Sequence, residues 1–219
     1  MCLQKIFVFI LVTLIPFFVA AEGFDSQNKF EIAGAITIKN VVDFDRALKS
    51  NSQLDGIILS NSFGAADNGV EIVKEFKKRI DERKLNIYMK GYCASACANI
   101  FLLGYKRVML ANPSGKPSML LLHPVRKVSP ENINGVGQIQ VFFTDKINQE
   151  ISDRSEGKIT IELLNRMYDA DDGSGGIFIL RDANSEGKYV LFSKSIAKRI
   201  RATPISQSTP EDLGIMVAE

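Results

Sequence analysis

Gly91-Tyr92-Cys93-Ala94-Ser95-Ala96-Cys97-Ala98 is the stretch on which the fold and the chemistry both turn. It follows a short apolar run, residues 85–89, that reads as a strand, and it opens residues 94–103, whose small and apolar side chains suit a helix. Only small residues, from Cys93 to Ala98, surround the one serine, which predicts a tight, strained turn that exposes Ser95. A serine opening a helix also benefits from the partial positive charge there, and the Ala96 N–H is placed to face a developing oxyanion. The plain alternative is that Ser95 caps the helix. Cys93 and Cys97 lie four residues apart, and in a helical start their Cα atoms come within about 6 Å, inside disulfide range. A disulfide is one reading of the pair, and a cysteine nucleophile is another. Metal binding is the weaker option, because no second pair of ligands completes a tetrahedral site.

Working outward, the order strand, helix, strand recurs. Residues 29–38 carry β-branched and apolar side chains, and residues 41–48 have the apolar spacing of a short helix. Gly56-Ile57-Ile58-Leu59-Ser60 is a continuous apolar run of the kind buried in parallel sheets, and it ends in the turn-rich Asn61-Ser62-Phe63-Gly64. Val70, Ile72, Val73, Phe76 and Ile80 then recur at helical spacing, opposite a charged face of Lys74, Lys77, Lys78, Arg79 and Glu82. Residues 107–110 and 119–123 read as further strands, the second stopping at Pro124. Residues 136–151 and 160–168 read as helices, and 177–181 and 188–192 as two strands joined by a turn around Asn184 and Gly187. This alternation predicts an α/β domain with a mostly parallel sheet flanked by helices, its ligands at the carboxyl ends of the strands.

The chain has one histidine, His123, at the end of a predicted strand. A lone histidine is often structural, yet any Ser-His or Cys-His mechanism in this chain has no other imidazole to use.

These residues carry a resemblance. GYCASACANIFLLG resembles the nucleophile turn of the proteolytic subunit of Clp protease. Twenty-eight residues after Ser95, LLLHPV is similar to that family's strand ending in the catalytic histidine, and upstream ILSNSFGA resembles the turn that supplies an oxyanion donor. The likeness covers roughly residues 56–197, in the family's order, and extends to periplasmic Clp-protease-like proteins whose turn also carries cysteines. It implies a Clp-protease/crotonase-like α/β domain. It further implies Ser95 as nucleophile, His123 as general base, and the N–H groups of Ala96 and of Ala65 or Gly64 as oxyanion hole. TIELLNRMYDAD aligns with the helix before the family's catalytic aspartate and puts Asp171 at that place, with Asp169 and Asp172 as rivals. Phe63 stands where the family has proline, and Ala65 where it has a second glycine. A homo-oligomer is implied as well.

At the amino end, Lys5, the apolar residues 6–20 and Val19-Ala20-Ala21 have the form of a secretory signal peptide, residues 1–21. The run is shorter than the roughly 20 apolar residues of a span, so cleavage is expected to leave no membrane anchor and a periplasmic or secreted protein. One domain over residues 22–202 and a loosely ordered tail over 203–219 complete the expected organisation. Lys and Arg total 27 against 25 Asp and Glu, a balance that gives nucleic acid no support. No cofactor or metal motif is present. Three functions compete: a serine hydrolase acting on a peptide or acyl substrate, a catalytically inactive binding or assembly module of the same fold, and acyl-thioester chemistry of the crotonase kind. The last fits an exported chain least.

Overall fold

The computed structural model describes residues 24–128, 139–142, 144–169, 175–181, 190–193, 203–206 and 208–218. Three strand–helix units open the fold: β1 (Lys29–Ala35) and α1 (Ile38–Ser50), β2 (Gly56–Gly64) and α2 (Gly69–Arg83), β3 (Asn86–Ala94) and α3 (Ala96–Leu102). Next come β4 (Arg107–Leu110), β5 (Ser118–Leu122), and a hairpin of β6 (Val125–Val128) and β7 (Ile139–Phe142). They lead to α4 (Asp145–Arg154), α5 (Ile161–Asn165) and a 3-10 turn (Arg166–Asp169). Four strands close the described chain: β8 (Gly176–Arg181), β9 (Val190–Ser193), β10 (Thr203–Ser206) and β11 (Met216–Ala218).

The main sheet runs β1-β2-β3-β5-β8-β9-β10, with β4 beside β3 and β11 outside β4. The pairs β1/β2, β2/β3, β3/β4, β3/β5 and β4/β11 are parallel, and β5/β8, β8/β9 and β9/β10 antiparallel. The protein is therefore an α/β fold with a mostly parallel sheet and flanking helices. Ile72, Val73, Phe76 and Ile80 of α2 are buried as their spacing predicts, each such side chain contributing roughly 1.5–3 kcal/mol on burial. Phe76 stacks on Phe44 of α1 at 5.9 Å, and Phe44 meets Phe30 at 5.1 Å, which ties two helices to the first strand.

One strand serves two neighbours. Ile87, Tyr88 and Met89 pair with β4, whereas Tyr92, Cys93 and Ala94 pair with β5. Between the two sets sits Gly91, at φ +74°, where a side chain would stand 2.1 Å from Asn61 Oδ1. The Gly91 N–H donates to the buried Ser118 Oγ (3.0 Å), and that hydroxyl donates to the Leu110 carbonyl (2.7 Å), so one serine closes the fork. The register also shifts between Ser60 and Ser62 on β2 and between Ala33 and Ala35 on β1, with Asn61 (φ 44°) and Gly34 (φ 74°) in the left-handed region. Bulges in adjacent strands increase local twist, and here they come just before the strand ends that carry the site.

Two expectations need correction. Residues 136–151 are not one helix, since β7 and α4 divide them at Thr144. The C-terminal stretch, expected to be loosely ordered, contains β10 and β11, and Leu213 (3%) and Ile215 (0%) are buried in the core. The buried Arg107 guanidinium holds it there by donating to the carbonyls of Gly214, Gly104 and Arg154, and burial pushes that guanidinium pKa down. Among the described residues no helix is long and apolar enough to cross a membrane. The proposed signal, residues 1–21, lies outside them.

Candidate active site

β3 ends at Ala94 and α3 begins at Ala96, so the whole change of direction falls on Ser95, at φ 59° and ψ −125°. A residue with a Cβ is disfavoured there by about 1–3 kcal/mol, a cost that persists only when neighbouring structure imposes it. Three features impose it. The Ser95 N–H donates to the Leu121 carbonyl of β5 (3.0 Å), and the Ser95 carbonyl accepts from Asn99 N (3.1 Å) in the first turn of α3. Cys93 and Cys97 form a disulfide across the turn, with Cα atoms 5.3 Å apart. Gly64, at the end of β2, packs so close that a Cβ on it would stand 2.6 Å from Ala94 O, 2.8 Å from Ser95 Cβ and 3.0 Å from Ala96 N. The disulfide removes metal binding and a free-thiol nucleophile at these two positions. Ser95 forms no side-chain cap bond in α3, so the simple capping role is not what the turn shows.

The histidine arrives on the neighbouring strand. Ala94 pairs with Leu121 in parallel register, and His123 follows β5 one residue past its end, so Ser95 and His123 leave adjacent strands at the same edge of the sheet. His123 is half-buried, and its Nδ1 lies 2.9 Å from the Pro124 carbonyl. A carbonyl only accepts, so this bond puts a proton on Nδ1, and in the neutral ring the lone pair then belongs to Nε2, the tautomer a general base requires. Gly176 of β8 closes the other side: a Cβ there would meet Leu122 O at 1.9 Å and His123 Cα at 3.2 Å.

The oxyanion candidates divide. The Gly64 N–H donates to the buried Ser62 Oγ (3.1 Å) and is occupied. Among the described residues no turn, loop or cap backbone bond occupies the N–H groups of Ala65 and Ala96, and Gly64 brings the turn carrying the first against the second. Asp171 and Asp172 lie outside the described residues. Asp169 closes the 3-10 turn and pairs with Arg166 at 3.0 Å.

Residues given no role in the chemistry from sequence also shape the site. Ser62, fully buried, fixes the turn before Ala65, and Ser118 fixes the β3 fork. Phe63 is 75% exposed and lies over Tyr92, ring centroids 5.1 Å apart, at the edge that carries Ser95. Burial pushes the Tyr92 phenol pKa up. An exposed phenylalanine beside a turn glycine was the available signal for this pair. Among the described residues no cluster of three metal-ligating side chains occurs.

No family model matches the chain, and no curated protein matches it. Among solved structures it is similar to a mutant of a membrane-bound stomatin-specific protease, at 14% identity and TM-score 0.49, covering 87% of this chain and 78% of that one. It is also similar to a mutant ClpP1 from Listeria monocytogenes, at 17% identity and TM-score 0.45, covering 88% and 91%. The strand order and parallel register, rather than these likenesses, establish what the chain is: an α/β protein whose central strand delivers Ser95, on a disulfide-closed turn, beside the strand that delivers its single histidine.

Proposed function

We propose that the protein is a serine hydrolase, a peptidase by its motifs, working through an acyl-enzyme. The observation that carries this reading is the strained Ser95, hydrogen-bonded through its backbone to the strand that leads into the only imidazole. His123 Nε2 takes the Ser95 proton as Oγ attacks the substrate carbonyl, and the amides of Ala96 and Ala65 receive the oxyanion. The protonated imidazole then gives its proton to the leaving group, and water repeats the sequence to release the acyl product. Asp171 is proposed as the acid that orients the imidazole. Residues 1–21 are proposed as a cleaved signal, which places the protein in the periplasm or outside the cell, where the disulfide persists. A homo-oligomer is proposed on the motif likeness, and light scattering reads it directly.

A fluorophosphonate probe tests the reading. The folded, oxidised protein takes one label on the peptide containing Ser95, and Ser95→Ala takes none. Absence of label on the folded wild type, or equal label on the variant, leaves the binding or assembly module as the surviving reading. The occupied Gly64 amide and the substituted Phe63 turn are the features that favour that alternative.

A further inference from the structure

Two residues on either side of Ser95 the chain is closed covalently, Cys93 at the end of β3 joined to Cys97 in the first turn of α3. Both cysteines are fully buried. A bridge across so few residues removes little entropy from the unfolded chain compared with one closing a long loop. What it does constrain is the angle at which α3 leaves β3, and Ser95 alone carries that angle, at φ 59° and ψ −125°. The bridge flanks Ser95 on both sides, so any change of its φ and ψ has to keep the Cys93 and Cys97 Cα atoms, now 5.3 Å apart, within the range a disulfide spans. The bridge thus narrows the backbone conformations open to the serine.

We propose that the Cys93–Cys97 disulfide is a redox latch that holds Ser95 in its reactive conformation, so that the chain is hydrolytically competent only when oxidised. The proposal rests on the hydrolase reading and adds regulation of the same site. Closure is a thiol–disulfide exchange with a disulfide oxidant. One cysteine, as thiolate, attacks the oxidant to form a mixed disulfide, and the second thiolate displaces it. The two cysteine thiols thereby lose two protons and two electrons, and the oxidant leaves as two thiols. Reducing compartments keep the latch open and the serine relaxed, and oxidising ones close it. Once closed, the sulfurs are shielded, and a reductant reaches them only when the turn opens.

The test compares the oxidised full chain with Cys93→Ala/Cys97→Ala and with reduced wild type. It follows far-UV circular dichroism, amide hydrogen exchange and the fluorophosphonate labelling rate. Without the bridge the fold persists, the amides of residues 93–98 exchange about ten-fold faster or more while those of β2 stay protected, and labelling slows by about 10²-fold. Reoxidising the reduced wild type restores both rates. If the alanine pair does not fold, reduced wild type at a reductant concentration that preserves the far-UV signal gives the same comparison. Equal labelling with and without the bridge overturns the proposal even where exchange differs, and unchanged exchange overturns it whether or not label is taken. A wild type that takes no label while exchange responds to the bridge keeps the latch and removes the hydrolase reading, which separates the two failures.

Discussion

The two strand exits that meet at the site are built by opposite means. At the β3 exit everything is imposed from outside the turn: a disulfide, the close approach of Gly64, and a hydrogen bond to the next strand hold Ser95 in a conformation it would not choose. At the β5 exit the described orientation of His123 comes from its own neighbour, the Pro124 carbonyl, and Gly176 packs against its backbone. The difference teaches where precision is stored. The position of Ser95 is a property of three strands and a helix together, and small changes in packing reach it. At the imidazole the described Nδ1 bond is local, to the carbonyl of the next residue.

That contrast is breakable. The largest effect is expected from Gly64→Ala, because the new methyl meets backbone atoms at 2.6 and 3.0 Å and the residue sits at φ +87°. Labelling of Ser95 is expected to fall by about 10²–10³-fold as the turn proposed to carry the oxyanion donors is displaced. Stability is expected to drop by about 1–3 kcal/mol, read from urea unfolding. Normal labelling would show that the β3 exit does not depend on this contact.

Gly91→Ala sharpens the comparison, since it strains the fork of β3 without touching the Ser95 turn. The added methyl meets the end of a side chain, Asn61 Oδ1, at 2.1 Å. A loss of about 1–2 kcal/mol is expected, part of it recovered in Gly91→Ala/Asn61→Gly, which removes the clashing amide while suiting the left-handed φ of 44° at position 61. No recovery in the double variant would mean that the positive φ accounts for the whole cost.

The smallest effect lies away from both exits and serves as the control. Arg79 of α2 makes a two-point ion pair with Asp45 of α1, at 2.5 and 2.6 Å, and its hydrogen bonds hold the Asp45 carboxyl below the ordinary carboxylate range. A depressed acid stabilises the fold above its unfolded pKa, and that stability is lost as pH falls through the folded value. Arg79→Gln should therefore cost only about 0–1 kcal/mol at neutral pH, flatten the acid limb of the stability curve, and leave labelling unchanged. A change in labelling would show that α1 and α2 bear on the site.

Much of this architecture was legible in the sequence. The Gly56–Gly64 strand, the α2 face and the strand stopping at His123 are long or strongly periodic, and parallel strands buried on both faces announce themselves as apolar runs. Ser95, His123 and the Cys93–Cys97 pair were legible because each is distinctive in type or spacing. The helix expected over residues 136–151 failed because the alternation of Ile139 and Val141 with polar Gln138 and Gln140 is strand-like, and the helix starts only at Asp145, behind Thr144. The C-terminal strands are three and four residues long, too short to show periodicity. Only Leu213 and Ile215 betrayed the burial there. That Ser62 occupies the Gly64 amide is invisible in sequence, because it depends on the direction of one hydroxyl within a bend.

The coupling of one hydroxyl to one imidazole is tested most directly by the pH dependence of Ser95 labelling in oxidised wild type and in His123→Ala. The chain has a single histidine, so an imidazole ionisation in the profile has one owner. The wild-type rate should rise with pH through that ionisation, and His123→Ala should lose the step and run about 10²–10⁴-fold slower. The same pH profile and rate in both proteins would contradict the account.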